Sequence, residues 1–504
     1  MKIGSTIAIV VTLVLLAFSG QASAQNVTYY ILQSPNLADA QNACETYGLT
    51  MVSTIHGQST FLVAASSAYT LQELQAWSQG DPNVKHIDLN HTFTVPEATQ
   101  LATVSSPTIP LTTYVTNPNL VRLYGSNVWL AYVQQPAYYT TNAYMVAQQL
   151  KPLSQLLPPP PPPTPATRPT PAQPPAPPAI PGVNAPVTVA VIDTGIDQLN
   201  PALTPYVIPG YDFTRNTAGF ASDVEDLNQS TAAILEQSTA AILEQYQIAV
   251  LNQSTAAILE QSTAAILEAN GVPAYFGHGT MTAGLIHLVA PNSQLMPLKA
   301  FAADGTASEA NIIQAIYYAV DHGANIINMS FELPQISDAM MKAINHAARR
   351  GVICVASAGN DAGTALVYPA GFGNVVSVGS VNSLGQPSTF SNYGPDLVQI
   401  AAPGEGLITT YPGSHYAQVW GTSFSAALVS GGASVLIQQS NGNTTTQLQV
   451  GDIQRALSQA IPCGTNGSLG AGCVDFNQAV NFIKGMNMPK ATATSTAATT
   501  TTSN

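Results

Sequence analysis

Short apolar runs alternate with amphipathic segments between residues 187 and 381 of this chain. The first run, VTVAVI at 187–192, is almost wholly apolar, as is typical of a strand buried on both faces of a parallel sheet. NIINMS, VICVAS and NVVSVGS are similar, and two segments of helical composition, ASEANIIQAIYYAVDHG and ISDAMMKAINHAARRG, lie among them. The alternation predicts a doubly wound parallel α/β domain at residues 187–485, with its strand ends collected along one edge of the sheet.

A different order of elements precedes this domain. TYYILQ, LTMVSTI, STFLVAA and VKHIDLN are strand-like, whereas ADAQNACETYG and TLQELQAWSQG have helical composition and end in glycine. The order βαββαβ predicts a small α+β open sandwich at residues 25–95.

Proline separates the two folded parts. Residues 158–181 contain 14 prolines, a composition typical of an extended polyproline spacer, so we assign a linker to 158–186 and a connecting segment to 96–157. The Ser/Thr-rich residues 486–504 have little to bury and are expected to be disordered.

A repeated octad, QSTAAILE, marks an insertion at residues 227–268. Eight residues turn a helix by about 80° beyond two full turns, so the apolar triplet drifts around the axis and no coiled coil is expected. The composition favours short helical turns. A surface insertion without chemistry and a contact element near a cleft both remain open.

The charge balance excludes one class of partner. Only 8% of the residues are charged and the net charge is −13, so the chain has no basic face for nucleic acid.

The N-terminus has the pattern of a signal peptide, which we assign to residues 1–24: Lys2, then an apolar run, then Ala22-Ser23-Ala24. We therefore expect a secreted monomer without a membrane span, either extracellular or periplasmic.

Cysteine usage fits an oxidising compartment. Cys463 and Cys473 enclose a glycine-rich loop and are expected to form a disulfide. Cys354, inside an apolar run, is expected to be a buried free thiol, and Cys44 has no obvious partner.

Three stretches carry polar groups for which a folded core has no evident use. Asp193 stands at the carboxyl end of the first buried strand, His278 lies between two glycines at the expected start of a helix, and Ser423 follows Gly421-Thr422. An alcohol needs a base to accept its proton and a carboxylate to orient that base, so the three residues predict a catalytic Asp-His-Ser set.

These motifs, in this order, resemble those of the subtilases, a family of subtilisin-like serine proteases. The resemblance implies that the amide of Asn360 in VASAGNDAG stabilises the oxyanion. It also implies that the backbone of a bound peptide is flanked by Ser330, Ala356, Ser357, Ala358 and Gly359. The segment at 25–95 resembles the inhibitory propeptide of these enzymes, so the expected partners are peptide or protein substrates and the chain's own propeptide.

The chain departs from the family pattern at three places. Ala427 replaces the proline expected four residues after Ser423, but this ring contributes neither a proton donor nor an acceptor to the chemistry. The usual calcium loop is missing after the histidine helix and Ala202 replaces the acidic ligand, so we expect no cofactor, although structural calcium elsewhere stays open. Val367 lies where glycine is common at the base of the primary specificity pocket, which favours small substrate side chains.

Two functions are compatible with these features. The first is a secreted serine endopeptidase made as a zymogen, with Asp193, His278, Ser423 and Asn360 in the roles given above. The second is an inactive scaffold that binds a partner through the octad repeats.

Overall fold

A computed structural model describes residues 27–57, 59–66, 69–95, 120–123, 126–147, 186–219, 221–227, 256–258, 273, 275–440, 448–464 and 468–486. The chain divides into two compact units: an N-terminal unit, Met1–Thr54 with Gln58–Leu89, and a main unit, Ile55–Gly57 with Asn90–Asn504. The predicted signal peptide lies outside the described residues, as do nearly all of the predicted linker and tail and most of the insertion.

The N-terminal unit has six elements in the order βαββαβ: β1 Val27–Gln33, α1 Leu37–Tyr47, β2 Thr50–His56, β3 Thr60–Ser66, α2 Leu71–Ser78 and β4 His86–Leu89. The strands form one sheet in the order β2-β3-β1-β4, and β1 pairs antiparallel with both neighbours. The Asn36 side chain caps α1, while Thr70 and Glu73 form a capping box on α2. Alternate residues of β1 and β3 are buried beneath the helices with Leu74 and Ile87.

The main unit begins with β5 Thr92–Thr94, β6 Leu120–Leu123 and β7 Ser126–Trp129, followed by α3 Leu130–Gln134, α4 Pro136–Thr140 and α5 Ala143–Ala147. The next elements are β8 Thr188–Asp193, β9 Gly210–Asp212, β10 Thr217–Gly219, a 3-10 helix at Asp223–Asp226, β11 Ala256–Ile258, α6 His278–Val289, β12 Gln294–Lys299, β13 Thr306–Ser308, α7 Glu309–Asp321 and β14 Ile326–Met329. The unit closes with α8 Asp338–Arg349, β15 Ile353–Ser357, β16 Val375–Val381, β17 Ile400–Pro403, β18 Leu407–Tyr411, β19 His415–Val419, α9 Thr422–Ser440, α10 Val450–Leu457 and α11 Phe476–Met486.

Eight strands form the central sheet of the main unit, in the order β10-β9-β12-β8-β14-β15-β16-β17. All neighbours from β9 to β17 pair in parallel, and only β10 is antiparallel. Every residue of β8, β14, β15 and β16 is buried. Since successive side chains of a strand point to opposite faces, helices cover both faces of the sheet, and the predicted α/β class is confirmed.

Two helix pairs flank this sheet. Helix α6 packs against α9, which also contacts β14 to β17, while α7 packs against α8. Helix α9 is buried over nearly its whole length and continues unbroken through Ala427. Among the helices that the structure describes, none is both long and apolar enough to cross a membrane.

Three residues of the insertion form a strand, β11. Residues Ala256–Ile258 pair antiparallel with β19, with Ala256 opposite Val419 and Ile258 opposite Ala417. The expectation of short helical turns is therefore wrong at these three residues. The β18–β19 hairpin leaves the outer edge of β19 with unpaired backbone groups, and an added strand satisfies them where a helix would not.

The cysteines behave as predicted. Cys463 and Cys473 form a disulfide with their Cα atoms 5.5 Å apart, next to the backbone bridge between Ile461 and Cys473. Cys354 and Cys44 are buried free thiols, and burial raises the pKa of Cys354 to about 12.

Candidate active site

The structure brings Asp193 and His278 together. Asp193 is the last residue of β8 and His278 is the first residue of α6, and each is only 1% exposed. His278 Nδ1 lies 2.8 Å from Asp193 Oδ1. The close approach requires glycine at 279, because a Cβ there would stand 2.0 Å from the carbonyl oxygen of Gly195.

Further donors fix the Asp193 carboxylate. The Thr194 N–H donates to Oδ1 at 2.7 Å, and the Thr282 hydroxyl donates to Oδ2 at 3.3 Å. Both threonines are buried, so the carboxylate is held by protein groups. A carboxylate held in this way keeps the imidazole of His278 in one orientation.

Ser423 lies in the first turn of α9, beside this pair. The ring of the adjacent Phe424 is 5.4 Å from the His278 ring, centroid to centroid. The Ser330 hydroxyl donates to the Ser423 carbonyl oxygen at 3.1 Å, which ties the turn to the end of β14. All three predicted triad residues are therefore in one buried region at the carboxyl edge of the sheet.

Asn360 is attached to the same helical turn. Its Oδ1 accepts from the N–H and the hydroxyl of Thr422, at 3.0 and 2.8 Å. With the oxygen held by Thr422, the plane of the Asn360 amide is fixed next to Ser423. The arrangement suits a side-chain donor for a developing oxyanion.

The predicted substrate-binding residues fall into two groups. Ser330 follows β14 directly and begins a short extended stretch, whereas Ala356 and Ser357 end β15. Ala356 is paired with both neighbouring strands and Ser357 with β16. Ala358 and Gly359 follow, with their carbonyl oxygens accepting from Asn392. Residues 356–359 can therefore form a wall of the cleft, while the stretch after Ser330 offers a backbone edge to which an extended segment can pair.

A segment of the chain occupies this pairing edge. In β5, Phe93 lies opposite Ala307 and Thr94 opposite Thr306 of β13. On its other side, Thr94 pairs with Glu332, whose N–H donates to the Thr94 carbonyl oxygen at 3.0 Å. The next N–H, that of Val95, donates to the Gly305 carbonyl oxygen at 3.1 Å. Residues 92–95 are thus the middle strand of three.

A second carboxylate, Asp223, lies behind the triad. Its Oδ1 accepts from the Thr194 hydroxyl at 2.5 Å, and its Oδ2 accepts from the N–H and hydroxyl of Thr280 at 3.2 and 2.5 Å. Burial raises the pKa of Asp223 to about 7, although the nearby Lys299 ammonium works in the opposite direction. Asp223 thus connects the residue after Asp193 to the helical turn that carries His278.

The sequence reasoning missed this network and the β13 side of the cleft. One signal was present: Lys299 is a single cation in the apolar run QLMPLKAF, and such a residue must be paired when buried. Its Nζ donates to Asp226 Oδ2 at 2.7 Å and to two backbone carbonyls. Within the described residues, no group of three or more His, Cys, Asp or Glu side chains is arranged to hold a metal ion.

A doubly wound α/β fold with a buried Asp-His pair beside a helix-borne serine has the architecture of a serine hydrolase. The model of the subtilase family (Peptidase_S8) matches residues 184–485, which is more than half of the chain. The chain belongs to the subtilase family.

Curated relatives agree with this assignment. The "Thermophilic serine proteinase" of Bacillus sp. (strain AK1) is 29% identical over 296 residues, which cover 58% of this chain and 61% of that protein. "Subtilisin BL" of Lederbergia lenta is 32% identical over 212 residues, 40% of this chain and 77% of that protein. "Alkaline protease" of Alkalihalobacillus alcalophilus is 33% identical over 212 residues, 40% of this chain and 54% of that protein.

Proposed function

We propose that this protein is a secreted serine endopeptidase that hydrolyses peptide bonds in proteins and peptides. The observation that carries the proposal is the buried 2.8 Å contact between His278 Nδ1 and Asp193 Oδ1, next to the helical turn of Ser423. Membership of the subtilase family supports it.

In the proposed mechanism, the Ser423 hydroxyl attacks the scissile carbonyl carbon while His278 accepts its proton. Asp193 orients the ring and stabilises its charge. The Asn360 amide and the Ser423 N–H donate to the oxyanion, with help from the N-terminal end of the α9 dipole. His278 then protonates the leaving amine, and water hydrolyses the acyl-enzyme by the reverse sequence of proton transfers.

We further propose that the protein is made as a zymogen. Residues 92–95 form an added strand against Thr306–Ser308 and Glu332, which is how an extended peptide binds to a sheet edge. Phe93 is buried, and its ring packs edge-to-face on Phe331 with 5.8 Å between centroids. The segment thereby excludes a competing peptide until it leaves, and the preceding βαββαβ unit is the proposed propeptide.

Active-site labelling tests the catalytic proposal. A fluorophosphonate is expected to label the purified wild-type protein, while Ser423→Ala abolishes labelling, peptide hydrolysis and self-processing. Folded wild-type protein that takes no label and cleaves no peptide would contradict the proposal. The inactive-scaffold alternative predicts instead that deletion of residues 227–268 removes partner binding from a protein without proteolytic activity.

A further inference from the structure

Glu332 places a carboxylate in the wall of the peptide-binding cleft. The side chain is only 6% exposed, although its backbone pairs with Thr94. A Cβ at Gly359 would stand 2.2 Å from Glu332 Oε2 and 2.3 Å from Asn392 Nδ2. The carboxylate therefore lies directly over the backbone of Gly359, one residue before the proposed oxyanion residue Asn360.

The alternation of side chains along the strand explains this direction. Phe331 points to the opposite side, where its ring lies 5.8 Å from that of Phe93 and 5.1 Å from that of Phe301. Successive residues of a strand face opposite ways, so Glu332 is turned from this aromatic cluster toward Gly359.

The register of the bound strand identifies the substrate residue that meets Glu332. Thr94 lies opposite Glu332 in an antiparallel pair. Because the two strands run in opposite directions, the position two residues after Thr94 on the bound strand lies opposite Ser330. Ser330 is hydrogen-bonded to the carbonyl of Ser423, so a peptide bound in this register places that position beside the nucleophile. It is the residue immediately before the cleaved bond, the P1 residue.

The P1 side chain points to the same face as Glu332. Positions two residues apart on a strand share a face, and diagonal cross-strand neighbours are within reach of long side chains. Val367 is buried next to the backbone bridge between Leu333 and Tyr368. The resemblance to the subtilases places it at the base of the P1 pocket, where its bulk would limit the depth available to P1. A long side chain with a terminal cation would therefore meet the carboxylate in the wall of the pocket.

We propose that Glu332 makes this enzyme selective for lysine or arginine at P1. The inference rests on the proposed endopeptidase function and adds the substrate class. It differs from the expectation of small P1 side chains based on Val367 alone, because a carboxylate in the wall of the pocket attracts a cationic P1 side chain and repels an anionic one.

Peptide p-nitroanilides test the selectivity. The substrates carry the chain's own cleft sequence, Thr-Phe-Thr-Val, followed by Lys, Arg, Ala or Leu at P1, and fluorophosphonate titration gives the concentration of active enzyme. We expect the kcat/KM for Lys or Arg to exceed that for Ala by about tenfold or more. In Glu332→Gln, which keeps the volume and removes the charge, this ratio falls by about tenfold or more.

Asp304→Asn is the matched control, since Asp304 is an exposed carboxylate next to the β13 edge whose Oδ1 accepts from Thr306 within its own turn. Asp304→Asn is expected to leave unchanged the ratio of kcat/KM for the Lys substrate to kcat/KM for the Ala substrate. If Asp304→Asn lowers the ratio as much as Glu332→Gln, a diffuse negative field and not Glu332 sets the selectivity.

A labelled wild-type enzyme that prefers Ala or Leu at P1 would overturn the inference and leave the proposed function intact. An enzyme that neither labels nor cleaves any substrate would overturn the proposed function itself. If Glu332→Gln does not fold, as shown by failure to label, the wild-type preference still decides the matter, and Glu332→Asp provides a second variant that retains the charge.

Discussion

Asp223 accepts two hydrogen bonds from Thr280, one from its N–H at 3.2 Å and one from its hydroxyl at 2.5 Å. Thr280 stands two residues after His278 in the first turn of α6. The same carboxylate holds the hydroxyl of Thr194, the residue after Asp193. A single buried side chain thus fixes the relative position of the two elements that supply the base and its orienting carboxylate.

This relationship predicts that Asp223→Asn lowers kcat more than it raises KM. The amide can accept on one side only, so one of the two threonine contacts is lost and the His278 turn shifts relative to Asp193. We expect kcat to fall by roughly 10- to 100-fold, as a small misplacement of catalytic groups can cause. Steady-state kinetics with active-site titration measure kcat and KM of the variant and of wild type. If kcat and KM change by the same factor, so that kcat/KM is unchanged, the result would argue against a positioning role.

Asp223 also predicts a pH dependence of stability. Burial raises the pKa of Asp223 to about 7 from the ordinary 3.8. At a pH between these two values, the carboxyl group is therefore protonated in the folded state and ionised in the unfolded state. The group therefore contributes stability at low pH that is lost as the pH rises through this window. Lys299, Asp193, Thr194 and Thr280 face the carboxyl group and are unchanged by the substitution. Urea unfolding of wild type and Asp223→Asn at pH 5 and pH 8 is expected to show the variant gaining stability relative to wild type at pH 8.

His287 predicts the opposite behaviour in acid. It is buried in α6, neither ring nitrogen has a hydrogen-bond partner among the described residues, and its ring lies 4.4 Å from that of Tyr206. Burial lowers its pKa to about 4, so from about pH 6.5 downward the unfolded state binds a proton that the folded state excludes. Stability is lost as the pH falls through this range. His287→Phe keeps the aromatic packing, and its acid-unfolding midpoint is expected to lie at lower pH than that of wild type. An unchanged midpoint would contradict this assignment.

The disulfide between Cys463 and Cys473 closes a loop with a sequence separation of 10 residues. Loss of a crosslink of this length is expected to cost about 2 to 3 kcal/mol through the greater freedom of the unfolded chain. The double variant Cys463→Ala/Cys473→Ala is compared with wild type by denaturant unfolding under oxidising conditions. Wild type measured with reductant is the control, and its free energy of unfolding should fall by a similar amount. Cys354→Ala is a second comparison, because it removes a thiol that is outside the crosslink.

Phe93 provides the test of the proposed latency. It is 1% exposed and packs on Phe331, so Phe93→Ala removes apolar contacts that hold residues 92–95 in the cleft. Truncation of a buried phenylalanine costs about 3 to 5 kcal/mol, enough to shift the segment toward its released state. The rate of fluorophosphonate labelling of freshly purified protein is expected to increase. Thr92→Ala, which changes an exposed position of the same strand, should label at the wild-type rate.

Much of this protein follows from its sequence. Almost wholly apolar runs such as VTVAVI are typical of strands in a sheet covered on both faces, so composition and period within short segments predict the α/β class. Asp193, His278 and Ser423 could be singled out because each puts a polar group where the apolar pattern ends at a strand or begins at a helix. The βαββαβ order of the N-terminal unit was equally visible, since its strands and helices are bounded by capping residues and glycines.

Other features were decided by the tertiary structure alone, because they depend on contacts between segments far apart in the chain. Phe93 pairs with Ala307, and neither local sequence shows that the other is its partner. Ala256–Ile258 is a strand despite its helical composition because the edge of β19 offers unpaired backbone groups. The direction of the Glu332 carboxylate follows from which face of its strand Phe331 buries in the aromatic cluster. The sequence determines which residues are available for chemistry, and long-range pairing decides which of them face the same cleft.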